Sequence, residues 1–240
     1  MAKIKAFRGI RPTLGFEKDV AELPYDVVNT AEAKEIAGDN QYSFFHVTRP
    51  EIGLAENTDP YDEIVYKKGK DNLEKFIKDQ VLKQDSEDCL YVYTLEMNHK
   101  KQTGLVACVS IDDYENDVVK KHEYTREDKE KDRTTHLNIL NANTGPVFLL
   151  YKDDGATKHY FDIAKEIMPD YDFYHESGVK HTIRVIKDKS LIDSFITGLK
   201  DKDLYIADGH HRASSAARVG MMRRKENRNL PESSESNFFL

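Results

Sequence analysis

Leu204–Tyr205–Ile206–Ala207–Asp208–Gly209–His210–His211–Arg212, followed by Ala213–Ser214–Ser215–Ala216–Ala217, decides how this chain is read. The apolar run at its start has the length of a buried strand. Asp208–Gly209 breaks that run with a pair suited to a tight turn or a helix cap. Small residues with good overall helix propensity follow, so the stretch predicts strand, sharp turn, helix. His210, His211 and Arg212 then fall in the first helical turn, where the macrodipole disfavours cations. A phosphate removes the conflict, because free N–H groups, a close-approach glycine and Arg212 all point at one anion. A capping Asp208 with two surface histidines is the plainer alternative, but it leaves His–His–Arg unexplained. A zinc site fits less well: adjacent helical positions diverge by about 100°, and no third ligand has the usual spacing.

Ala207–Asp208–Gly209–His210–His211–Arg212 resembles the signature of a large uncharacterised bacterial and archaeal family. That family is grouped with the ParB/sulfiredoxin-like fold, which includes free serine kinases. The resemblance implies that Gly209, His210, His211 and Arg212 hold nucleotide phosphates. A second segment carries it further. His122–Glu123–Tyr124–Thr125, with Lys129 and Asp132–Arg133 behind it, is similar to the family's His-Glu-x-Thr stretch. By the kinase analogy Glu123 is the general base, His122 and Thr125 lie at the substrate, and Lys129 and Arg133 add to the phosphate site. Asp208 and His211 count among the catalytic residues, with Asp208 able to hold Mg²⁺ through water. Pro24–Tyr25–Asp26–Val27 is similar to a segment near the family's start, which makes Asp26 a candidate for substrate contact.

The bulk numbers exclude other classes. The 240 residues suffice for one large domain or two small ones, and 33% charged with 39% hydrophobic residues describes a soluble globular chain. A formal net charge of −7 argues against general duplex-DNA binding, so only the fold of the ParB branch is carried over. No stretch has signal-peptide or membrane-spanning length, and Cys89 and Cys108 read as two buried thiols in a reducing cytoplasm. A cytoplasmic protein without nucleic-acid or membrane partners is expected, with a homodimer as one option.

Element by element, the sequence predicts a mixed α/β (α+β) fold. An N-terminal α/β region would cover 1–113, a ParB/sulfiredoxin-like nucleotide-binding region 114–222, and a loop with the start of a further part 223–240. Thr30–Ala37 predicts a helix capped at Thr30 or Asn29. Phe44–Thr48 predicts a strand, and Pro60 predicts the first position of a long helix. Leu90–Leu95 and Leu105–Ile111 predict a hairpin joined through Asn98–Gly104. Val118–Tyr124 predicts a strand, then Thr125 caps a charged helix with Asp128 at the capping-box position. Lys129, Arg133 and His136, spaced i, i+4, i+7, predict one helix face directed at an anion. Further predictions are strands at Val147–Tyr151, Thr182–Ile186 and Asp203–Ala207, and helices at Ala156–Met168 and Ser190–Leu199. Asn237–Leu240 reads as the start of a buried strand. An N-terminal fragment of a longer protein is therefore expected, which the mass of the native protein would test.

The function expected from these residues is a nucleotide-dependent phosphotransferase acting on a small hydroxyl substrate, with ATP or ADP and Mg²⁺. A nucleotide-binding regulator without turnover and a phosphate-ester hydrolase are the alternatives.

Overall fold

The computed structural model describes residues 1–240. Alternation of apolar and polar residues builds a four-stranded antiparallel sheet in the order Lys100–Val106, Leu90–Met97, Lys180–Ile186, Tyr171–Tyr174. A three-stranded sheet joins Ile4–Lys5, Cys108–Ser110 and Phe238–Phe239. A third sheet carries the central motif: Leu204–Asp208 lies between Val119–Lys120, parallel to it, and Phe148–Tyr151, antiparallel. Ile10–Pro12 and Leu82–Gln84 form a two-stranded ribbon. Fold class is therefore mixed α/β, with antiparallel pairing dominant. No helix is long and apolar enough to cross a membrane.

The small residues after Arg212 have a clear structural reason. Ala213, Ala216 and Ala217 of the His210–Glu226 helix pack against Val109, Val119, Leu204, Ile206 and Phe239, so a narrow helix face lies close on two sheets. Gly220 continues that face. A Cβ there would run into Ile111 Cδ1 and the Ser236 backbone carbonyl. Gly220→Ala is expected to lower unfolding free energy by about 2 kcal/mol in urea titrations, overpacking outweighing the gain in helix propensity. An unchanged midpoint would show that the crossing at Ser236 yields freely.

Several expectations are met. Asn29 caps Thr30–Ala37 through a capping box with Glu32, and Asp188 caps Lys189–Leu199. Cys89 and Cys108 are free and buried, and burial pushes the Cys108 thiol up to about 12. The hairpin forms, but its connection is shorter than expected. Asn98 and His99 both have positive φ (51° and 63°), a two-residue turn, and Lys100–Thr103 are already strand. The expected Leu105–Ile111 strand is divided at Ala107, its halves serving different sheets.

Others are corrected. Phe44–Thr48 is not a strand: Phe45–Thr48 is a helical turn that buries Phe45 and Val47 together, and Pro50 opens a 3₁₀ turn directly after it. A short apolar run alone does not separate the two forms. Pro60 is not the first residue of the long helix. That helix is Glu63–Lys78, because the Asp62 side chain accepts from Ile64 N–H and caps three residues later. Thr125 does not cap the Glu127–Leu140 helix; Arg126 stands at that position without a side-chain cap, and the Thr125 hydroxyl donates to Glu130 Oε2 at 2.6 Å. Helices Glu17–Val20 and strand Tyr171–Tyr174 were not anticipated from the residues.

Candidate functional site

The motif strand ends in a bulge between Ile206 and Asp208, which turns the chain just before the helix. Gly209 follows with φ +96° and ψ 31°, a left-handed conformation. It has a second constraint: a Cβ there would lie 3.1 Å from Arg212 Cζ and 3.3 Å from Val147 Cα. No side chain caps the 17-residue helix that starts at His210. Its first-turn N–H groups are thus left without a side-chain acceptor.

Arg212 folds back over Gly209. Its Nη2 pairs with Asp208 Oδ2 and lies 3.5 Å from Asp26 Oδ2, while Nη1 donates to the Pro146 carbonyl. The guanidinium is largely buried, and Nε has no hydrogen-bond partner. Asp26 thus comes to the motif from 186 residues away. Its loop is held by Arg49, whose Nε and Nη2 donate to the Tyr25 carbonyl at 3.0 and 2.8 Å. The Tyr25 ring lies under Arg133, 4.3 Å from Cζ to centroid, and burial raises the phenol above its ordinary range.

The His122–Glu123 loop covers the other side. His122 and His210 meet edge to face, centroids 4.5 Å apart. Glu123 Oε2 lies 3.6 Å from His210 Nδ1, and His210 Nε2 is buried without a partner. Burial, and then His122, lower the His210 pKa against the opposing pull of Glu123, so the ring is neutral at pH 7. His211 Nε2 accepts the Arg126 backbone N–H at 3.1 Å, which ties the loop to the motif helix. Glu130 completes that tie: it receives Thr125, and one of its oxygens pairs with Arg218. Burial alone would raise its pKa; Ser214, Thr125 and Arg218 outweigh this and hold it below the ordinary value.

The sequence-derived residues therefore divide into groups. Asp26, Asp208 and Arg212 converge, as do His122, Glu123 and His210, and His211 ties the loop at Arg126 to the motif helix. Thr125 is turned inward to Glu130. Lys129, Arg133 and His136 do not share one anion-facing surface. His136 is buried with Nε2 3.0 Å from the Val47 carbonyl, and burial lowers its pKa to about 4. Arg133 pairs with Asp132 at 2.8 Å, and the exposed Lys129 is 3.4 Å from Tyr61 Oη. The charged helix is packed between Glu63–Lys78 and His210–Glu226, so its spacing serves two interfaces rather than one face. The Pro146 carbonyl and Glu130 were not foreseen; a backbone acceptor carries no sequence signal, and Glu130 is hidden within a charge run.

The arrangement suits an anion: an uncapped helix terminus and an unpartnered guanidinium nitrogen stand together. No group of three His, Cys, Asp or Glu side chains is placed to hold a metal ion, and Asp208 is engaged by Arg212.

A family model described as Protein of unknown function (DUF1015) matches residues 4–240, and the chain belongs to that family. No curated protein and no solved structure matches it.

Proposed function

We propose that this chain is a nucleotide-dependent phosphotransferase that acts on a small hydroxyl substrate, in the manner of the free serine kinases its motifs resemble. The observation that carries this reading is the meeting of three distant segments, around residues 26, 123 and 212, at one uncapped helix terminus. The phosphates of ATP or ADP would lie over Gly209–Arg212. Arg212 would exchange its Asp26 contact for phosphate oxygens, with Nε supplying a further donor. A bound phosphate would also draw His210 toward its protonated form, since a nearby anion favours the cation. Any Mg²⁺ would arrive with the nucleotide.

In the transfer step the substrate hydroxyl oxygen forms a bond to the terminal phosphorus. The bond from that phosphorus to the bridging oxygen breaks, its electron pair leaving with the shortened nucleotide. The hydroxyl proton passes to Glu123. Such chemistry depends mainly on alignment and charge stabilisation, which fits a site where Glu123, a helix terminus and Arg212 stand together, with Asp26 and Asp208 beside the arginine.

Calorimetric titration with ATP, ADP, CTP and inorganic phosphate, each with Mg²⁺, tests the anion site. One nucleotide should bind, and Arg212→Ala should weaken it about 10- to 100-fold, the worth of charge-assisted hydrogen bonds. Absence of binding by all four, or undiminished binding by Arg212→Ala, removes the proposal.

A further inference from the structure

Leu204–Asp208 has two faces, and the strand register assigns their occupants. Leu204 and Ile206 are buried on the inner face, against Ala213, Ala216 and Ala217 of the motif helix. Tyr205 lies on the outer face with its antiparallel partner Leu150, and Phe148 follows on that face two residues along. These three side chains are 46%, 50% and 43% exposed. A solvated sheet face normally carries polar residues. Lys100–Val106 follows that rule with exposed Lys100, Lys101 and Gln102, whereas here the outer positions are aromatic and aliphatic. A contiguous exposed apolar patch rimmed by polar groups marks a place where a ligand or partner lies.

Its position says which. By simple alternation from Tyr205, Asp208 would fall on the inner face. The bulge between Ile206 and Asp208 reverses this and sets Asp208 opposite Phe148, on the outer side. Arg212 starts from the helix on the inner side and reaches both Asp208 and the Pro146 carbonyl, so it passes round the strand end. Patch and anion site are thus one continuous surface. Tyr205 lies three residues before Asp208, about 10 Å at the usual rise of a strand. The phosphates and ribose of a nucleotide cover such a length. At their far end is a flat ring system, which stacks on aromatic side chains. Lys120 flanks the patch beside Tyr205, its Nζ 3.8 Å from Asp203.

We propose that the outer face formed by Phe148, Leu150 and Tyr205 is the base subsite of the nucleotide whose phosphates occupy the motif. The subsite rests on the anion site of the phosphotransferase reading, not on its transfer step.

Calorimetry with ATP and with inorganic tripolyphosphate, each with Mg²⁺, separates the two halves of the site, since the ligands differ in the nucleoside. ADP and pyrophosphate form a second pair. In at least one pair the nucleotide should bind about 10- to 100-fold more tightly than its inorganic counterpart, the worth of stacking one base. The double variant Leu150→Thr, Tyr205→Thr keeps residues suited to strands on the exposed face. It should bring nucleotide affinity down to the inorganic value and leave the inorganic ligand within about twofold. Undiminished nucleotide binding by this variant overturns the base subsite while the anion site stands. So does the lack of a nucleotide advantage in the unmodified protein, even where the variant fails to fold. If none of the four ligands binds, the anion site falls and the base subsite with it. Sedimentation velocity tests the other occupant of such a face. A dimer that the double variant dissolves, at unchanged nucleotide affinity, would assign the patch to a second copy of this chain.

Discussion

Glu22→Gln is expected to make the protein more stable than the unmodified chain at pH 8, and far less so at pH 5. Burial raises the Glu22 carboxyl to about 8 in the folded state, against an ordinary value of 4.5. Between those values the unfolded chain has released the proton while the folded chain still holds it. Folding then takes up a proton, and stability falls as pH rises. The contribution is fully present below the unfolded pKa and is lost as pH climbs to the folded one. Each pH unit is worth about 1.4 kcal/mol, so the loss from pH 5 to pH 8 is roughly 3–4 kcal/mol. Glutamine keeps the acceptor for Thr48 and fills the same volume, but it never ionises. Urea unfolding of both proteins at pH 5, 6.5 and 8 checks this. A difference that stays constant across the three would mean that Glu22 reaches water and ionises at its ordinary pH.

Glu22 also illustrates what the sequence concealed. Pro24 disfavours helix at Leu23, and nothing in Ala21–Pro24 marks this glutamate as buried, since glutamates are mostly exposed. Nothing local says that Thr48, in a segment read as strand, turns helical and brings its hydroxyl to this carboxyl. The central motif was legible for the opposite reason. Strand, left-handed glycine and helix are successive in the chain, so Leu204–Asp208, Gly209 and His210–Glu226 follow from local pattern alone. Asp26 lies between these cases. Its segment could be picked out, but its contact with Arg212 depends on Arg49 gripping the backbone of Tyr25 and Val28. The spacing of Lys129, Arg133 and His136 reads as a single face, whereas the helix packs against Glu63–Lys78 on one side and His210–Glu226 on another. A helix enclosed on two sides can bury a glutamate and a histidine on different flanks, as Glu130 and His136 show.

In the proposed phosphotransferase, Glu123→Gln should reduce transfer from labelled nucleotide to L-serine by about 10²- to 10⁴-fold, the range for loss of a general base. Nucleotide affinity should stay within about twofold, since Glu123 takes no part in the contacts of Arg212. Stability should barely change: the side chain is 61% exposed, and its closest polar neighbour is His210 Nδ1 at 3.6 Å. That neighbour supplies the decisive comparison. His210 is buried with Nε2 unpartnered, and burial lowers its pKa, so it is a second group at this place able to take a proton. If His210→Asn abolishes transfer while Glu123→Gln leaves it intact, the histidine is the base and the carboxylate only orients it. If Glu123→Gln alone abolishes transfer at unchanged nucleotide affinity, the carboxylate takes the proton. An exposed carboxylate is a fitting base here, because a small hydroxyl substrate must reach it from solvent while the phosphates stay over the helix terminus.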